Sequence, residues 1–325
     1  MVTGAYSVFE VNSEHSPEFL SYLFHWLDNQ KALKPYYTGL RKVVRPQTFG
    51  AIKIPIPPVQ EQNHISRFLN YETAKIDALI TEQQRLVELL QEKRQAVISH
   101  AVTKGLNPDA PMKDSGVEWL GEVPEHWEIR KASQLFTTQK GRSAQELTKE
   151  FCAINAGPHP VYSGQTENHG VMGSIDSFEF DYGERGVILS TTVGAKAMSI
   201  RRILGKFSLS QNCMIIAPRN VECLVQYFEF GFAPVFSHER SQIPDHMQPS
   251  FRMEDFYQFR LPVPPSQEQL LISRYLRECV TQYDLLVNNC NSAIVLLEER
   301  RSTLISAAVT GQIDVRGYAP EASVA

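Results

Sequence analysis

One phrase of the sequence occurs twice, and this repeat restricts the fold more than any other feature. Residues 54–69 read IPIPPVQEQNHISRFL and residues 261–276 read LPVPPSQEQLLISRYL, an offset of 207. The same offset aligns Pro55–Thr103 with Pro262–Thr310 without a gap, and 21 of these 49 positions are identical. An internal repeat of this strength indicates duplicated structural units. The chain is therefore expected to contain two related halves.

Each copy carries the signals of a long amphipathic helix. The Pro-Pro pair ends an extended segment, because proline fixes its own φ and disfavours helix in the residue before it. Glu61 and Glu268 follow in the first turn, where negative charge suits the helix dipole. Apolar residues then recur at heptad spacing until a glycine, Gly105 or Gly311. We predict two helices of about 40 residues, each about 60 Å long.

Such a helix cannot bury its apolar stripe alone. Each helix could pack on its own neighbouring domain, or the two could pack on each other as an antiparallel coiled coil. We favour the coiled coil, because two related sequences in one chain readily form a pseudo-twofold pair. The two neighbouring heptad rows assign the pairing to these side chains: Leu69, Ile76, Leu79, Leu86, Leu90, Leu276, Tyr283, Leu286, Leu297 and Leu304.

Between the two helices the pattern changes. Short β-rich runs such as GVILSTTV and NCMIIAP alternate with Gly, Ser and Asn turns from Met112 to about Arg260. This pattern predicts one mixed, β-rich domain of about 150 residues. Its leading segment contains Trp119, Leu120 and Trp127, which we expect to tie that segment to the domain core. The predicted fold class is α+β: β-rich domains joined to two long helices that pair as an antiparallel coiled coil.

The first 54 residues look like the final third of a second copy of this domain. The offset of 207 aligns Thr3 with Ser210, Arg45 with Arg252 and Phe49 with Phe256. Counterparts of residues 112–207 are missing, and about 54 residues rarely make a well-packed domain alone. The predicted organisation is a domain remnant at 1–54, a long helix at 55–106, a complete domain at 107–261, a second long helix at 262–316 and a tail at 317–325.

Composition excludes several classes of protein. The formal net charge of −4 gives no global sign of a nucleic-acid partner, so such a partner has to be argued from local charge. The five cysteines are scattered without a CxxC pair, which argues against a disulfide framework and a zinc site and favours a reduced cytoplasmic setting. No signal segment and no apolar run near ~18 residues is present, so we expect no membrane partner.

Catalytic motifs are also missing from the sequence. It has no GxxxxGK[ST] loop, no HExxH, and no Asn/Asp-Pro-Pro-aromatic motif of the kind used by adenine methyltransferases. The acidic run around Asp176, Glu179 and Asp181 lacks the strand Glu-x-Lys of a nuclease. We therefore expect no catalytic residue, no metal site and no cofactor in this chain.

Together these residues resemble the specificity subunit of a type I restriction–modification enzyme. The resemblance rests on the two repeated phrases, on KDSGVEWLGEVPEHWEIRK and on the two AVT helix ends, and it covers the whole chain. It implies target-recognition domains that each read one half of a split double-stranded DNA site, and helical regions that hold them apart and bind methyltransferase subunits. Motor–nuclease subunits would join them. The partner subunits would bind S-adenosylmethionine, ATP and Mg.

The chain departs from this family at its front, where the first recognition domain is a remnant. Either the chain is an N-terminally truncated product, or its start lies upstream of Met1, or a separate polypeptide supplies the rest. We also predict that the QEQ motifs face a partner subunit, while a purely local role at the helix start stays open as the alternative. These residues are Gln60, Glu61, Gln62, Gln267, Glu268 and Gln269.

Local charge indicates where DNA would be bound. The segment from Arg185 to Arg219 has six basic residues and no acidic one. A second acid-free stretch, Lys31–Lys53, contains Arg41 and Lys42. Lysine and arginine bind phosphates and guanine edges, whereas glutamine can pair with adenine. The predicted DNA-binding residues are Lys140, Arg142, Gln165, Arg185, Lys196, Arg201, Arg202, Lys206 and Arg240. The competing interpretation of this charge is an ordinary solvated strand–turn surface.

Two functions follow from these patterns. The first is a DNA sequence-recognition subunit that also scaffolds methyltransferase subunits, with the helices acting as a ruler between half-sites. The second is a coiled-coil interaction scaffold that does not read DNA, or an inactive truncated specificity subunit.

Overall fold

The computed structural model describes residues 9–38, 43–165, 167–244 and 246–318. Thr3, Arg41, Lys42 and most of the predicted tail lie outside the described residues. The chain forms two compact units: unit 1 comprises residues 1–90 and 285–325, and unit 2 comprises residues 91–284. These units do not coincide with the predicted segments, because each unit takes part of both long helices.

The helices are α1 (Pro17–Asn29), α2 (Pro46–Gly50), α3 (Val59–Lys104), α4 (Ala132–Leu135), α5 (Lys149–Ile154), α6 (Val225–Gly231), α7 (Ala233–Ser241), α8 (Met253–Gln258) and α9 (Ser266–Val309). The predicted long helices are α3, with 46 residues, and α9, with 44 residues. Both begin directly after their Pro-Pro pair, where the proline backbone stops being extended. The two glycines beyond their ends, Gly105 and Gly311, have φ values of +77° and +72°, which only glycine adopts without strain.

Within each unit the two long helices pack against each other and run antiparallel. In unit 1, Arg301 Nε lies 2.8 Å from Asp77 Oδ1, and one apolar cluster holds Ile65 and Leu69 together with Ile305. Residue numbers therefore fall along α3 as they rise along α9. The prediction of an antiparallel coiled coil is confirmed.

Unit 2 contains the equivalent contacts. Arg94 Nε lies 3.3 Å from Asp284 Oδ1, and Ile98 shares a cluster with Ile272 and Leu276. Asp284 and Arg301 are the residues 207 positions after Asp77 and Arg94. The repeat thus supplies one Asp–Arg pair to each unit with the roles of the two helices exchanged.

One of the two predicted heptad rows is wrong. The row of Leu69, Ile76, Leu90, Leu276, Tyr283, Leu297 and Leu304 is buried or half-buried, as predicted. Leu79, Leu86 and Leu286 are instead 52 %, 42 % and 46 % exposed. The second row of the seam lies one residue later, at positions 73, 80, 87 and 94 and at 280, 287, 294 and 301. Polar Thr73 and charged Arg94 in this row hid it from an apolar pattern. Thr73 donates to the Leu69 carbonyl, and Arg94 forms an ion pair with Asp284.

Unit 1 has a small core built on α1. Ser16 caps this helix by accepting from the Phe19 amide, and Pro17 supplies the fixed φ of a first helical residue. Phe19 and Leu23 are fully buried against the long helices. The Trp26 indole donates to Ser306 Oγ over 2.9 Å, which fixes α1 against α9.

Within the described residues, the strands all lie in unit 2. They are β1 (Met112–Asp114), β2 (Glu122–Pro124), β3 (Glu128–Lys131), β4 (Phe136–Gln139), β5 (Ala156–Tyr162), β6 (Val171–Ile175), β7 (Phe180–Asp181), β8 (Val187–Thr191), β9 (Ile200–Ile203), β10 (Lys206–Leu209), β11 (Cys213–Pro218) and β12 (Arg260–Val263). Two four-stranded sheets dominate, with strand orders β4-β11-β8-β9 and β6-β5-β10-β7. β10 pairs parallel with β5, and the other pairings are antiparallel.

The core of unit 2 is rich in aromatic rings. Phe136 packs edge-on against Phe228, Phe232 and Phe256, with ring centroids 4.8 to 6.1 Å apart. Trp127 is fully buried and Leu120 is nearly so, which confirms that the leading segment is tied to the core. The mixed, β-rich part of unit 2 lies between the two long helices in sequence.

Candidate nucleic-acid interface

The sheet topology of unit 2 brings the loops after β4 and β8 to one end of the sheet β4-β11-β8-β9, beside the turn that precedes β11. β4 and β8 both run antiparallel to β11, so their carboxyl ends meet the start of β11 at Cys213. Lys140 and Arg142 follow β4, and Lys196 follows β8. Three of the predicted DNA-binding cations therefore lie on loops at the same edge, although up to 56 residues separate them in sequence.

A tight turn at Ser210–Asn212 holds these loops together. The Thr192 amide donates to Asn212 O over 2.8 Å, and the Gly164 amide donates to Gln211 O over 3.2 Å. Asn212 has a φ of +63°, a conformation that asparagine tolerates better than most residues. We call the segments 139–143, 163–165 and 192–199 around this turn the loop cluster.

Two glycines allow the loops to approach this turn closely. A Cβ on Gly141 would collide with the Leu209 carbonyl oxygen, and one on Gly164 would stand 2.8 Å from Asn212 Cβ. Any side chain at either position would push the loop away. The glycine in TTQKGRS is thus a packing requirement that positions Lys140 and Arg142 beside it.

The cations of the loop cluster are exposed, and a neighbouring arginine is hydrogen-bonded to one of the loops. The side chains of Lys140, Arg142 and Lys196 all face solvent. Arg240 donates to the Ala195 carbonyl over 3.0 Å, so it fixes the loop that carries Lys196. We infer that Arg240 acts on that loop as a positioning residue.

The predicted base-reading glutamine lies in the cluster but is partly engaged. Gln165 Nε2 donates to the Val171 carbonyl over 2.8 Å, and Asn168 Nδ2 donates to the same oxygen over 3.2 Å. The side-chain nitrogen of Gln165 is therefore engaged by the backbone. Arg201 lies nearby, with Nη1 3.1 Å from where a Cβ on Gly170 would stand.

The remaining predicted cations are not brought to the loop cluster. Arg185 donates to the Asn220 carbonyl over 3.1 Å, and Arg202 donates to the Glu184 carbonyl over 3.0 Å. Lys206 lies 4.5 Å from the centroid of the Phe178 ring. Arg185 and Arg202 lie near the start of β8 and the end of β9, at the opposite end of that sheet, and Lys206 begins β10 of the second sheet. The continuous basic stretch in the sequence is therefore divided by folding.

One acidic residue of the site was missed by sequence reasoning. Glu179 Oε1 accepts from the Arg142 amide over 2.7 Å, while its Oε2 is buried and, within the described residues, has no hydrogen-bond partner. Glu179 lines a cleft of about 490 Å³ with Gln139, Lys140 and Arg142. No sequence signal places it there, because its position depends on the pairing of β7 with β10.

The Cys213 thiol, which lies beneath the loop cluster, is buried and unreactive. Burial raises the pKa of Cys213 to about 12, and the charge of Lys140 opposes this shift. The Cys213 thiol donates to the Ser210 carbonyl over 3.1 Å, so it supports the turn. Cys213 is therefore a protonated packing group at neutral pH.

Each QEQ motif contains one buried glutamine and one exposed glutamine. Gln62 and Gln269 are each 1 % exposed, so they cannot face a partner subunit, and the local alternative applies to them. Gln60 and Gln267 are exposed, and Glu61 is half-buried. Glu268 accepts from Trp127 Nε1 over 3.0 Å, which engages it within unit 2.

Gln62 and Gln269 make matching hydrogen bonds in the two units. Gln62 accepts from the Ser16 amide over 2.8 Å and donates to the Pro57 carbonyl over 2.8 Å. Gln269 accepts from the Leu224 amide over 2.9 Å and donates to the Pro264 carbonyl over 2.8 Å. We call this pair of hydrogen bonds the glutamine clamp. In each unit it joins the Pro-Pro segment to the N-cap residue of an earlier helix, α1 or α6.

Across the described ranges, no three His, Cys, Asp or Glu side chains group in a way that could hold a metal ion. In the same part of the chain, every helix is too short or too polar to cross a membrane.

The chain is similar in sequence to proteins named as type I specificity subunits. A putative type I specificity subunit of Mycoplasma pneumoniae is 29 % identical over 150 residues, which is 45 % of this chain and 38 % of that protein. A putative type I restriction enzyme specificity subunit of Methanocaldococcus jannaschii is 22 % identical over 318 residues, or 92 % of this chain and 69 % of that protein. The chain thus spans well under half of the first of these relatives.

Solved structures agree with the fold. A chain from the structural study of complex assembly and conformational transition of the type I R-M system has a TM-score of 0.67 at 14 % identity, covering 92 % of this chain and 72 % of that one. The HsdS subunit of Thermoanaerobacter tengcongensis has a TM-score of 0.51 at 16 % identity, covering 92 % and 71 %. The family model described as the type I restriction modification DNA specificity domain matches residues 3–90 and 124–292. These matches cover most of both repeated helices and most of the domain between them, and the chain belongs to the family of type I restriction modification DNA specificity domains.

Proposed function

We propose that this chain is the DNA sequence-recognition subunit of a type I restriction–modification complex. The observation that carries the proposal is the loop cluster, where Lys140, Arg142 and Lys196 project from loops fixed around one backbone turn. Exposed cations on a rigid edge suit phosphate contacts, and neighbouring amide groups suit contacts to base edges. Family membership supports the same function.

Gln165, Gln139 and Glu179 are the proposed base-reading groups of the loop cluster. Glutamine can pair with adenine, and a carboxylate can accept from the amino group of cytosine. Glu179 has an unpaired buried oxygen beside two cations, so a small movement of its side chain would offer an acceptor without leaving its charge uncompensated.

The exposed leucines of the long helices support the second half of the proposal, the scaffolding of methyltransferase subunits. Leu79 and Leu286 are equivalent by the repeat, and so are Leu89 and Leu296; they are 46 % to 64 % exposed. Two equivalent apolar sites suit two copies of one partner. The partner subunits, together with motor–nuclease subunits, would supply S-adenosylmethionine, ATP and Mg and carry out the reactions.

Duplication also underlies the proposed split DNA site. Each unit would contribute one recognition element, and the fixed lengths of α3 and α9 would set the distance between half-sites. Reading of the first half-site would depend on what completes the recognition-domain remnant in unit 1.

A salt titration tests the DNA interface. The complex with methyltransferase subunits is compared with a complex carrying Lys140→Ala, Arg142→Ala and Lys196→Ala, and log K for duplex DNA is measured against log salt. Each lost phosphate contact should reduce the slope by about 0.9. Arg185→Ala with Lys206→Ala is the matched control, because these two cations lie outside the loop cluster, and its slope should stay unchanged.

Selection from random DNA tests sequence reading. The same complex should enrich at least one short half-site, and the Gln165→Ala variant should relax the preference at one position. If no sequence is enriched and the triple variant keeps its DNA affinity, the chain is an interaction scaffold that does not read DNA.

Co-purification tests the scaffold. Leu79→Ser with Leu286→Ser should weaken the association with methyltransferase subunits without altering the melting temperature, because both side chains are already solvated. Leu106→Ser, at an exposed position outside the coiled coil, is the control.

A further inference from the structure

In unit 2 the start of α9 forms a cradle for a tryptophan. Glu268 accepts from Trp127 Nε1 over 3.0 Å and from His126 Nε2 over 2.8 Å. Gly105 closes the cradle, since a Cβ there would stand 3.3 Å from Trp127 Cζ2 and 3.1 Å from Glu268 Oε1. The ring is thus held by a carboxylate on one helix and a left-handed glycine after the other.

Unit 1 has the glutamine clamp, the carboxylate and the left-handed glycine, and the charged group near its carboxylate is Arg316. Glu61 is the repeat equivalent of Glu268, and Gln62 makes the clamp that Gln269 makes in unit 2. Gly311, the left-handed glycine beyond α9, has nothing within 4 Å of where its Cβ would stand. Among the residues that the structure describes, no indole donates to Glu61.

The aromatic cores of the two units contain an equivalent pair of phenylalanine rings. The hydrogen bonds of the two clamps align Ser16 with Leu224, so Phe24 corresponds to Phe232, while the repeat aligns Phe49 with Phe256. The Phe24–Phe49 centroids lie 4.7 Å apart, and the Phe232–Phe256 centroids lie 5.5 Å apart.

What differs is the ring that covers the pair. Phe136 lies 5.2 Å from Phe232 and 6.1 Å from Phe256, and both are fully buried. Phe24 and Phe49 are only half-buried. Phe9, which lies 4.7 Å from Phe49, is 48 % exposed.

We propose that Glu61, Phe9, Phe24 and Phe49 form an acceptor surface for a polypeptide segment with the chemistry of residues 127–136. In this segment a tryptophan would donate to Glu61, and a phenylalanine nine residues later would cover the Phe24–Phe49 pair. Burial of two aromatic rings supplies the affinity, and the charge-assisted indole bond fixes the register.

The occupant follows from the internal template. The only segment of this chain seen on an equivalent surface, within the described residues, is the strand–helix–strand stretch that begins at Trp127 and ends beyond Phe136 in unit 2. A surface that matches this template at its clamp, its carboxylate and its ring pair is complementary to the same type of segment. The inference concerns folding, and it stands whether or not the chain reads DNA.

A graft tests the proposal on the full chain. A copy of residues 107–209 is placed before Thr3, the residue that aligns with Ser210. Hydrogen exchange in residues 9–54 should become at least tenfold slower, while exchange in residues 225–259 reports that unit 2 is still folded. The matched control is the same graft with Trp127→Ala and Phe136→Ala in the added copy only, which should give no protection.

Equal protection by both grafts, or by neither, would overturn the proposal. Glu61→Ala in the grafted chain should remove part of the protection, and no change would count against the indole bond. If protection of residues 9–54 in the unmodified chain rises with protein concentration, a second copy covers the surface and the proposal is wrong.

A pair of substitutions in the unmodified chain gives an independent test. Phe256→Ala should raise the local opening equilibrium of its unit at least 100-fold, whereas Phe49→Ala should raise its own less than tenfold, because the latter ring is incompletely packed. Equal effects would mean that the core of unit 1 is already closed.

Discussion

At the scale of single residues, the buried side-chain amides of Gln62 and Gln269 explain why the QEQ phrase occurs in both halves of the chain. The last glutamine of each QEQ motif satisfies the carbonyl of the first proline and the amide that precedes a packed helix. A buried polar group left without a partner costs more than its hydrogen bond gains, so this position is restricted to a side chain with both a donor and an acceptor. The neighbouring exposed glutamines carry no such restriction.

Gln62→Ala and Gln269→Ala should each lower the free energy of unfolding by about 1–3 kcal/mol, because each leaves a buried amide and a buried carbonyl unpaired. Gln60→Ala and Gln267→Ala are the controls and should stay within about 0.5 kcal/mol of the parent. Urea unfolding followed by far-UV circular dichroism measures all four. Equal losses at buried and exposed positions would contradict the clamp.

The Cys213 thiol makes stability depend on alkaline pH. Its pKa is raised from 9.0 to about 12 in the folded protein. Between these values the native state keeps a proton that the unfolded state has lost, so stability falls as pH rises from 9 to 12. The parent minus Cys213→Ser difference in unfolding free energy should fall by up to about 1.4 kcal/mol per pH unit there. A flat difference would show that the thiol is not buried in solution.

At the scale of elements, the long helices are paired by a seam that contains charged as well as apolar residues. Arg94 and Arg301 occupy seam positions because an aspartate of the other helix faces each of them. These pairs are partly exposed, so each contributes only about 0.2–1 kcal/mol. Most of the stability of the pairing comes from the apolar clusters at the two ends of the helices, where Ile65, Leu69, Ile272 and Leu276 are buried.

Ile76→Asp and Leu79→Asp distinguish the observed seam from the predicted one. Ile76 is 4 % exposed and Leu79 is 52 % exposed. A buried unpaired charge should cost Ile76→Asp more than about 3 kcal/mol, while Leu79→Asp should change stability by no more than about 0.5 kcal/mol. Thermal unfolding measures both. A larger loss of stability for Leu79→Asp than for Ile76→Asp would mean that Leu79 lies in the seam, as the heptad spacing predicted.

At the scale of the whole molecule, the two units have unequal cores. The core of unit 2 combines two sheets, short helices and a dense aromatic cluster, whereas that of unit 1 rests on α1 and the helix ends. Local stability follows the amount of buried apolar surface, so the two units should open independently and at different rates.

Hydrogen exchange should resolve this difference. Amides of residues 17–29 in α1 should exchange at least tenfold faster than those of residues 225–231 in α6, because fewer buried side chains hold α1 in place. Mass spectrometry of peptic fragments measures both segments in one sample. Equal protection would indicate that unit 1 has a more complete core than its side-chain burial implies.

Several features were legible in the sequence because they depend on local chemistry. Pro-Pro, the first-turn glutamates and the heptad spacing predicted both long helices, since capping, backbone restriction and periodicity act within a few residues. The offset of 207 also predicted that residues 1–54 correspond to the final third of the domain between the helices, because duplication preserves residue types even where contacts differ. The resemblance to specificity subunits was also visible in the sequence, because it rests on short motifs.

Only the tertiary structure decided which side chains share a surface. The basic stretch from Arg185 to Arg219 looks continuous, but strand pairing sends Lys196 to one end of the sheet and Arg185 to the other. Glu179 joins Arg142 only because β7 pairs with β10. The true seam of the helices was also hidden, since an arginine looks like a surface residue until an aspartate of another helix pairs with it. Sequence determines what each segment prefers, and contacts between distant segments determine which of those preferences meet at one site.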